Sequence, residues 1–305
     1  MNLHDNVSSQ LFSVRDFVRW AVSQFTKGHV YYGHGTDNAL DEAFQLVLHA
    51  AGIPLGSETL LLDAKLTQEE KDHVISLVEE RVKLRIPVPY LTGIAWFAGL
   101  SFKVDERVLI PRSPLGELIE NGFQPWVTEN SLNRILDLCT GSGCIGIACA
   151  HYFGDSDIDL VDISPDALEV ANDNIEEYEL QGRVRTVESD LFDGLEGRRY
   201  GLIVSNPPYV DSDDLTSMPE EYHHEPALAL SSGDDGLDIT RRILKEAANF
   251  LTSDGILIVE VGNSCIALEE YFPQVPFTWI EFERGGHGVF VFTRDELELY
   301  QRAFI

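Results

Sequence analysis

The sequence predicts an α/β protein, in which a mostly parallel sheet covered by helices follows a small helical domain. Three observations predict this fold class. From about residue 133, short apolar runs alternate with helical segments; the first ninety residues contain helical patterns; and a stretch rich in glycine and β-branched residues separates the two parts. The 305 residues suffice for about two domains. We expect a helical domain over 1–90, a hairpin linker over 91–113 and an α/β domain over 114–305.

Helix signals dominate the first part of the chain. Residues 36–51 place their apolar side chains on one face of a helix and are followed by glycine and proline stop signals. A second helix is predicted to begin at Thr67, where Glu70 three positions later can complete a capping box, and to end before Pro87. These patterns predict a small helical module.

Residues 91–112 change in character and predict a short hairpin. Glycine, aromatic and β-branched residues are frequent there. The Ser113-Pro114 step that follows is typical of a helix N-cap with proline at the first helical position. The hairpin is therefore expected to lead directly into a helix of the α/β domain.

Four apolar runs in the second part read as buried strands, and the segments between them read as helices. The predicted strands are RILDL at 134–138, DIDLVDI at 157–163, YGLIVSN at 200–206 and GILIVEVG at 255–262. Helical patterns occupy 164–180 and 238–251. This alternation indicates βαβ units and a parallel sheet with helices on both faces. Residues 277–293 predict two strands joined by a glycine turn at 285–288, so an antiparallel pair should close the sheet.

Charge is unusually negative and unevenly distributed. The chain has 22 Lys and Arg against 51 Asp and Glu, a formal net charge of −29. Residues 1–113 carry 14 acids and 11 bases, whereas residues 114–305 carry 37 acids and 11 bases. Such a surface repels nucleic-acid phosphates and anionic membranes and attracts cationic partners. We therefore expect neither direct DNA binding nor membrane binding, and a basic partner.

Metal binding and export are not indicated. Three of the four cysteines recur every five residues, which is not a zinc spacing, so we expect reduced thiols in a cytoplasmic protein. The paired His223-His224 has no second pair at a matching distance, so no metal site is expected. The first residues lack the basic and apolar pattern of a secretory signal, and no stretch approaches the roughly 20 apolar residues of a membrane span.

A glycine-rich turn follows the first predicted strand. Gly141, Gly143 and Gly146 form a GxGxxG between that strand and a helix, a pattern that lets a ligand approach the backbone closely. Asp162 ends the next strand, 21 residues after Gly141, where a carboxylate can accept hydrogen bonds from ribose hydroxyls. The alternative is an ordinary glycine turn with a surface aspartate. Asp137, just before the turn, would oppose a pyrophosphate, so charge favours the cationic cofactor S-adenosylmethionine over NAD.

The third predicted strand of this domain ends in Asn206-Pro207-Pro208-Tyr209. Two consecutive prolines remove two N–H donors and stiffen the backbone, so the carbonyl groups of Asn206 and Pro207 can be presented as acceptors. The Asn206 side chain adds another carbonyl, and Tyr209 adds a flat face. Two acceptors beside an aromatic ring suit a planar group that carries –NH₂.

The Asn206-Pro207-Pro208-Tyr209 step resembles the NPPY motif of methyltransferases that act on planar nitrogens, among them DNA amino-methyltransferases and protein glutamine methyltransferases. The resemblance extends to the linker at 87–119, the helical module and the loop at 207–238. The IPRSPLGELI form of the linker and the long acidic loop are most similar to the PrmB-type ribosomal-protein glutamine methyltransferases of the HemK/Prm family. The resemblance implies a Rossmann-like class I methyltransferase domain and an N-terminal domain that binds the substrate.

The family's site residues carry over by motif. Asp137 and the turn at 139–143 would hold the methionine part of S-adenosylmethionine, Asp162 the ribose, and Asp190 with Leu191 the adenine. The cofactor-binding set implied in this way is Asp137, Cys139, Thr140, Gly141, Ser142, Gly143, Asp162, Ile163, Asp190, Leu191 and Asn206. The substrate-binding set is Asn206, Pro207, Pro208 and Tyr209, of which Asn206 and Pro207 are the catalytic candidates.

The resemblance implies methylation of a glutamine side-chain amide in the third large-subunit ribosomal protein, either free or within an assembly intermediate. Three alternatives remain: a release factor glutamine methyltransferase, a DNA amino-methyltransferase, and a non-catalytic assembly factor that uses the fold only to bind. The DNA enzyme would need a basic groove, which the charge distribution does not provide. The segment 210–240, with nine acids and no Lys or Arg, is either a solvated loop or an attractor for a basic substrate.

Overall fold

The computed structural model describes residues 3–56, 58–127 and 132–305. Its backbone divides into two compact units. One unit consists of the described residues up to Ile94 together with the short segment Pro219–His224, and the other consists of Ala95–Met218 and Glu225–Ile305. We call them the helical unit and the sheet unit.

The helical unit is built from six helices around one hydrophobic core. Their bounds are α1 Leu3–Gln10, α2 Val14–Lys27, α3 Ala39–Ala50, α4 Glu58–Leu61, α5 Gln68–Leu84 and α6 Val88–Thr92. The predicted capping box at the start of α5 is confirmed, because the Thr67 hydroxyl accepts from the Glu70 N–H and the Glu70 carboxylate accepts from the Thr67 N–H. Apolar side chains such as Phe17, Leu46 and Ile75 are fully buried between the helices.

The segment Pro219–His224 is held in the helical unit by buried charge. The Arg81 guanidinium is fully buried and lies 2.9 Å from the Glu42 carboxylate and 3.4 Å from that of Glu221. The Glu221 carboxylate also accepts the Tyr31 N–H at 2.9 Å. The ring of Tyr222 lies 4.5 Å from that of His34. The acidic loop is therefore not wholly solvated, because its middle part is packed among the N-terminal helices.

The sheet unit starts with the predicted hairpin and a short helix. Strands β1, Ile94–Phe97, and β2, Leu100–Lys103, form a two-stranded sheet, and α7 covers Leu115–Glu120. The expected cap is wrong by one residue, because Pro114 and not Ser113 is the N-cap of α7 and no side chain caps it. The Ser113 hydroxyl nevertheless accepts the Leu115 N–H at 3.1 Å.

Seven strands form the main sheet, and the predicted fold class is confirmed. Their order is β5-β4-β3-β6-β7-β9-β8. The first five strands in this order, β5, β4, β3, β6 and β7, are parallel, and β9 is antiparallel to both of its neighbours. The bounds are β3 Arg134–Leu138, β4 Asp157–Asp162, β5 Val184–Glu188, β6 Tyr200–Ser205, β7 Leu251–Glu260, β8 Thr278–Trp279 and β9 Val289–Thr293. The sequence reading missed β5. That strand lies at the sheet edge and only its first residue is buried, so it lacks the continuous apolar run of a central strand.

Helices cover both faces of the sheet. The helices that follow α7 in this unit are α8 Cys144–Tyr152, α9 Pro165–Glu177, α10 Ser212–Ser217, α11 Ala227–Leu230, α12 Asp238–Glu246, α13 Cys265–Tyr271 and α14 Arg294–Tyr300. Successive strand residues alternate between two hydrophobic cores: Ile135 and Leu202 belong to one, and Leu136 and Ile203 to the other. Among the helices described, none combines the length and apolar character needed to cross a bilayer.

Strand order reverses around β3, because β4 pairs with one of its edges and β6 with the other. In open α/β sheets, ligands bind outside the carboxyl ends of the strands at such a switch point. The carboxyl ends of β3, β4, β5 and β6 lead directly into the predicted site residues, so the topology gathers them at one edge.

Candidate functional site

The glycine turn after β3 is held from below by Asp137. The carboxylate is fully buried, and its Oδ2 accepts hydrogen bonds from the Thr140 hydroxyl at 2.5 Å and from the Gly146 N–H at 2.9 Å. Gly146 must lack a side chain, because a Cβ there would lie 2.1 Å from a methyl group of Leu160 in β4. Gly141 has φ +54°, the left-handed region that favours glycine, and open space where a Cβ would point. The turn therefore presents backbone without side chains at the carboxyl edge of the sheet.

Burial sets the electrostatics of this turn. Loss of solvent raises the pKa of Asp137 to about 7, against the opposing effect of the hydrogen bonds from Thr140 and Gly146. Its other oxygen, Oδ1, is buried and has no hydrogen-bond partner within the described chain. A buried acceptor without a partner is costly, so it marks a position where a donor from outside the chain would stabilise the fold.

Asp162 lies at the end of β4 and joins the glycine turn to the next helix. Its Oδ2 accepts the Gly141 N–H at 2.9 Å and its Oδ1 accepts the Ser164 N–H at 3.0 Å. Burial raises its pKa above the usual value. Each carboxylate oxygen keeps a further lone pair, so Asp162 can still accept hydroxyl donors. The carboxylate is therefore oriented before any ligand binds.

The residues after β5 lie at the same carboxyl edge of the sheet. Leu191 is buried with φ +52°, and the Asp190 carboxylate pairs with Arg242 of α12 at 2.9 Å. Ile163, directly after Asp162, is half exposed. These side chains provide apolar surface with one acid at its edge, which suits a planar heterocycle that carries an amino group.

Asn206 follows β6 and contributes an unpaired acceptor. Its Oδ1 is buried without a hydrogen-bond partner in the described part of the chain. The strand end beneath it is tied to β3, since the Ser205 hydroxyl donates to the Leu138 carbonyl at 2.8 Å. Pro207 is buried, and Pro208 is partly exposed.

One cavity of about 210 Å³ brings most of the predicted residues together. It is lined by Cys139, Gly141, Asp162, Ile163, Asp190, Leu191, Asn206 and Pro208. The other predicted residues do not reach this lining: Asp137, Thr140, Ser142 and Gly143 lie in or beneath the turn, and Pro207 and Tyr209 lie beside Asn206 and Pro208 in the chain. Their assigned ligand contacts stay predictions.

The cavity also contains residues that the sequence reading missed. Arg107 from the linker and Arg242 from α12 contribute cations, and Leu228 contributes an apolar side chain that is 61% exposed. The Arg107 guanidinium binds Asp105 at 2.7 Å and Glu169 at 3.0 Å. No local motif distinguishes these arginines from surface arginines, so only their placement by the fold reveals them.

The chain is similar in sequence to known methyltransferases. A family model for the methyltransferase small domain matches residues 124–220. The chain is 52% identical over 300 residues to the ribosomal protein uL3 glutamine methyltransferase of Francisella tularensis subsp. tularensis, covering 98% of this chain and 96% of that protein. It is 50% identical over 296 residues to the ribosomal protein uL3 glutamine methyltransferase of Neisseria meningitidis serogroup B, covering 97% of each chain. The crystallised hMettl16 catalytic domain, in complex with a MAT2A 3′UTR hairpin, overlaps with a TM-score of 0.49 at 17% identity, covering 73% of this chain and 80% of that chain.

The parallel sheet, the glycine turn at its switch point and the matched domain define an S-adenosylmethionine-dependent methyltransferase with a Rossmann-like fold. The chain belongs to the family of ribosomal protein uL3 glutamine methyltransferases, since two of its members share about half of its residues over nearly its whole length. The resemblance to the PrmB-type enzymes that the motifs indicated is thereby supported.

Proposed function

We propose that this enzyme transfers a methyl group from S-adenosylmethionine to the side-chain amide nitrogen of a glutamine in ribosomal protein uL3. The observation that carries the proposal is the buried, unpaired Oδ1 of Asn206 at the cavity, in a chain with two uL3 glutamine methyltransferases as close relatives. A primary amide offers the N–H donor that this oxygen lacks.

The cavity residues fit the cofactor. Asp162 would accept the ribose hydroxyls, the bare backbone of the glycine turn would lie along the methionine part, and Asp190 with Leu191 would contact adenine. The unpaired Oδ1 of Asp137 matches a cationic group, because an ammonium or sulfonium favours an ionised carboxylate nearby. When bound, the cofactor supplies an electrophilic methyl group on a sulfonium.

Two acceptors would hold the substrate amide. An amide nitrogen is a poor nucleophile because its lone pair is delocalised into the carbonyl group. If the Asn206 Oδ1 and the Pro207 carbonyl oxygen each accept one N–H, the nitrogen is held with its π lone pair toward the methyl group. Positive charge then develops on nitrogen, and the two carbonyl dipoles stabilise it; one such contact is typically worth about 3 kcal/mol. No dedicated base is needed, because the methylated amide cation is acidic enough to release its proton to water.

The choice of uL3 follows from the relatives and agrees with charge. A protein of net charge −29 favours a cationic substrate over DNA. We assign the helical unit to docking of the ribosomal protein, and the exposed acids of the loop after Tyr209 to its encounter. The reaction on free uL3 or on an assembly intermediate would take place in the cytoplasm, where ribosomal proteins are made.

The test is transfer of labelled methyl from S-adenosylmethionine to separately purified uL3, uL3 within ribosomal particles, a release factor and DNA, followed by peptide mapping. We expect label on one glutamine of uL3. Label on the release factor or on DNA would replace the assignment with the corresponding alternative, and no label on any of them would leave only a binding role.

Asn206→Ala is the matched variant for the amide site. We expect kcat to fall about 10²-fold or more while cofactor affinity changes little, because the lost acceptor acts on the transition state. Asn172→Ala, at an exposed asparagine of α9, serves as the control and should behave like the unchanged enzyme. Near-normal turnover of Asn206→Ala would remove the proposed role of Asn206.

A further inference from the structure

A buried carboxylate lies beside the proposed amide-binding segment, Asn206-Pro207-Pro208-Tyr209, and has no part in the proposed reaction. Glu260 is the last residue of β7 and is 5% exposed. Strand β7 pairs in parallel with β6, with Ser205 opposite Val259, so the next residues in each strand direction are Asn206 and Glu260. Burying an acid is costly unless hydrogen bonds compensate, so the position calls for a reason.

The Glu260 carboxylate accepts two hydroxyl donors that come from separate predicted motifs. The Tyr209 hydroxyl donates to its Oε1 at 3.0 Å, and the Ser113 hydroxyl donates to its Oε2 at 2.5 Å. Ser113 precedes α7, and Tyr209 ends the Asn206-Pro207-Pro208-Tyr209 step. The carboxylate therefore connects the linker and the amide-binding segment to the end of one central strand.

Tyr209 is held at three points. Besides its hydroxyl, its carbonyl oxygen accepts from the Ser264 hydroxyl at 2.7 Å. Its ring packs on Gly262, where a Cβ would lie 2.6 Å from a ring carbon. Among the described residues, the Tyr209 side chain is not part of the cavity lining. We therefore expect its three contacts to restrain the backbone and not to bind a ligand in the cavity.

The two prolines explain why such a restraint is needed. Pro207 and Pro208 have no N–H, so the backbone between Asn206 and Tyr209 cannot be held by donors of its own. The segment is held through β6 on one side and Tyr209 on the other. Displacement of the Tyr209 end would move the carbonyl groups that the amide needs, and a shift of 1 Å can cost about 10²-fold in rate.

We propose that Glu260 is a positioning residue for methyl transfer: it holds Tyr209 by its hydroxyl and so fixes the carbonyl groups of Asn206 and Pro207 for the substrate amide. The inference rests on the proposed function, since it deepens the account of the same amide site.

The experiment measures kcat, uL3 KM and S-adenosylmethionine Kd for Tyr209→Phe, Glu260→Leu, Glu260→Gln and the double variant Tyr209→Phe/Glu260→Leu. We expect Tyr209→Phe and Glu260→Leu to lower kcat about tenfold or more with little change in cofactor Kd. Glu260→Gln keeps one oxygen acceptor for the Tyr209 hydroxyl and should recover most of the loss. The double variant should match Glu260→Leu alone, because both changes break the same contact.

Tyr200→Phe is the matched control. Its hydroxyl also donates to a buried carboxylate, that of Asp159 at 2.6 Å, but at the opposite end of β6. It should leave kcat unchanged although it removes the same kind of hydrogen bond. Losses in kcat that multiply in the double variant, or that are no larger than in Tyr200→Phe, would overturn the proposal.

Hydrogen exchange gives a readout that needs no substrate. The Val210 N–H, next to Tyr209, donates to the Leu230 carbonyl at 2.8 Å. We expect it to exchange about tenfold faster in Tyr209→Phe and Glu260→Leu than in Tyr200→Phe. If the Val210 N–H exchanged at the same rate in both variants as in Tyr200→Phe, the proposed restraint of Tyr209 by Glu260 would be refuted. This holds even if the enzyme without substitutions methylated no uL3. An inactive unchanged enzyme would refute the proposed function separately.

Discussion

Replacing Asp137 by Asn should change how the stability of this protein depends on pH. Burial raises the pKa of the Asp137 carboxyl from 3.8 to about 7 in the folded state. The folded protein therefore holds this proton more tightly than the unfolded chain between these values. By linkage, the free energy of unfolding falls as pH rises through this window and levels off above it.

The size of the effect follows from that difference in pKa. A carboxyl whose pKa rises from 3.8 to about 7 on folding costs the ionised folded state about 4 kcal/mol. An asparagine does not titrate, and its amide oxygen can still accept from Gly146 and Thr140. The free energy of unfolding of Asp137→Asn minus that of the unchanged protein should therefore increase by about 2–3 kcal/mol as the pH is raised from 5 to 8.

Urea unfolding of both proteins at pH 5, 6, 7 and 8 measures this difference. Burial also raises the pKa of Glu260 to about 7, but that carboxyl is present in both proteins, so its effect cancels. Two unfolding curves whose difference does not vary with pH would show that Asp137 is ionised across the whole range, and the reasoning from burial would be refuted.

Two further predictions concern packing and buried charge. Gly146→Ala should lose about 1–3 kcal/mol, because its methyl group meets a buried side chain, whereas Gly154→Ala, which points into open space, should stay within about 0.5 kcal/mol in the same urea assay. Arg81→Leu should cost about 3–5 kcal/mol, because it leaves the buried carboxylate of Glu42 without its partner. Arg15→Leu, which removes an exposed ion pair, should cost under about 1 kcal/mol, and equal losses in the two arginine variants would contradict this account.

Local patterns in the sequence determined most of the order of the elements and the position of the glycine turn. The strand at 134–138 has the same bounds in the structure, and the turn after it does bring Gly141 to the cavity. These features depend on neighbours within a few residues, because apolar runs, capping side chains and glycine turns act over that range. The edge strand β5 was missed for the same reason, since its residues are mostly not buried.

Contacts between distant residues were decided only by the tertiary structure. Ser113 and Glu260 are separated by 147 positions, and Arg81 and Glu221 by 140, yet each pair is in hydrogen-bond contact. No local pattern encodes such partners, because each becomes a neighbour only when the sheet and the helices have packed. The pKa of Asp137 has the same origin: a carboxylate beside a glycine turn can be read from the sequence, but its loss of solvent exists only in the folded protein.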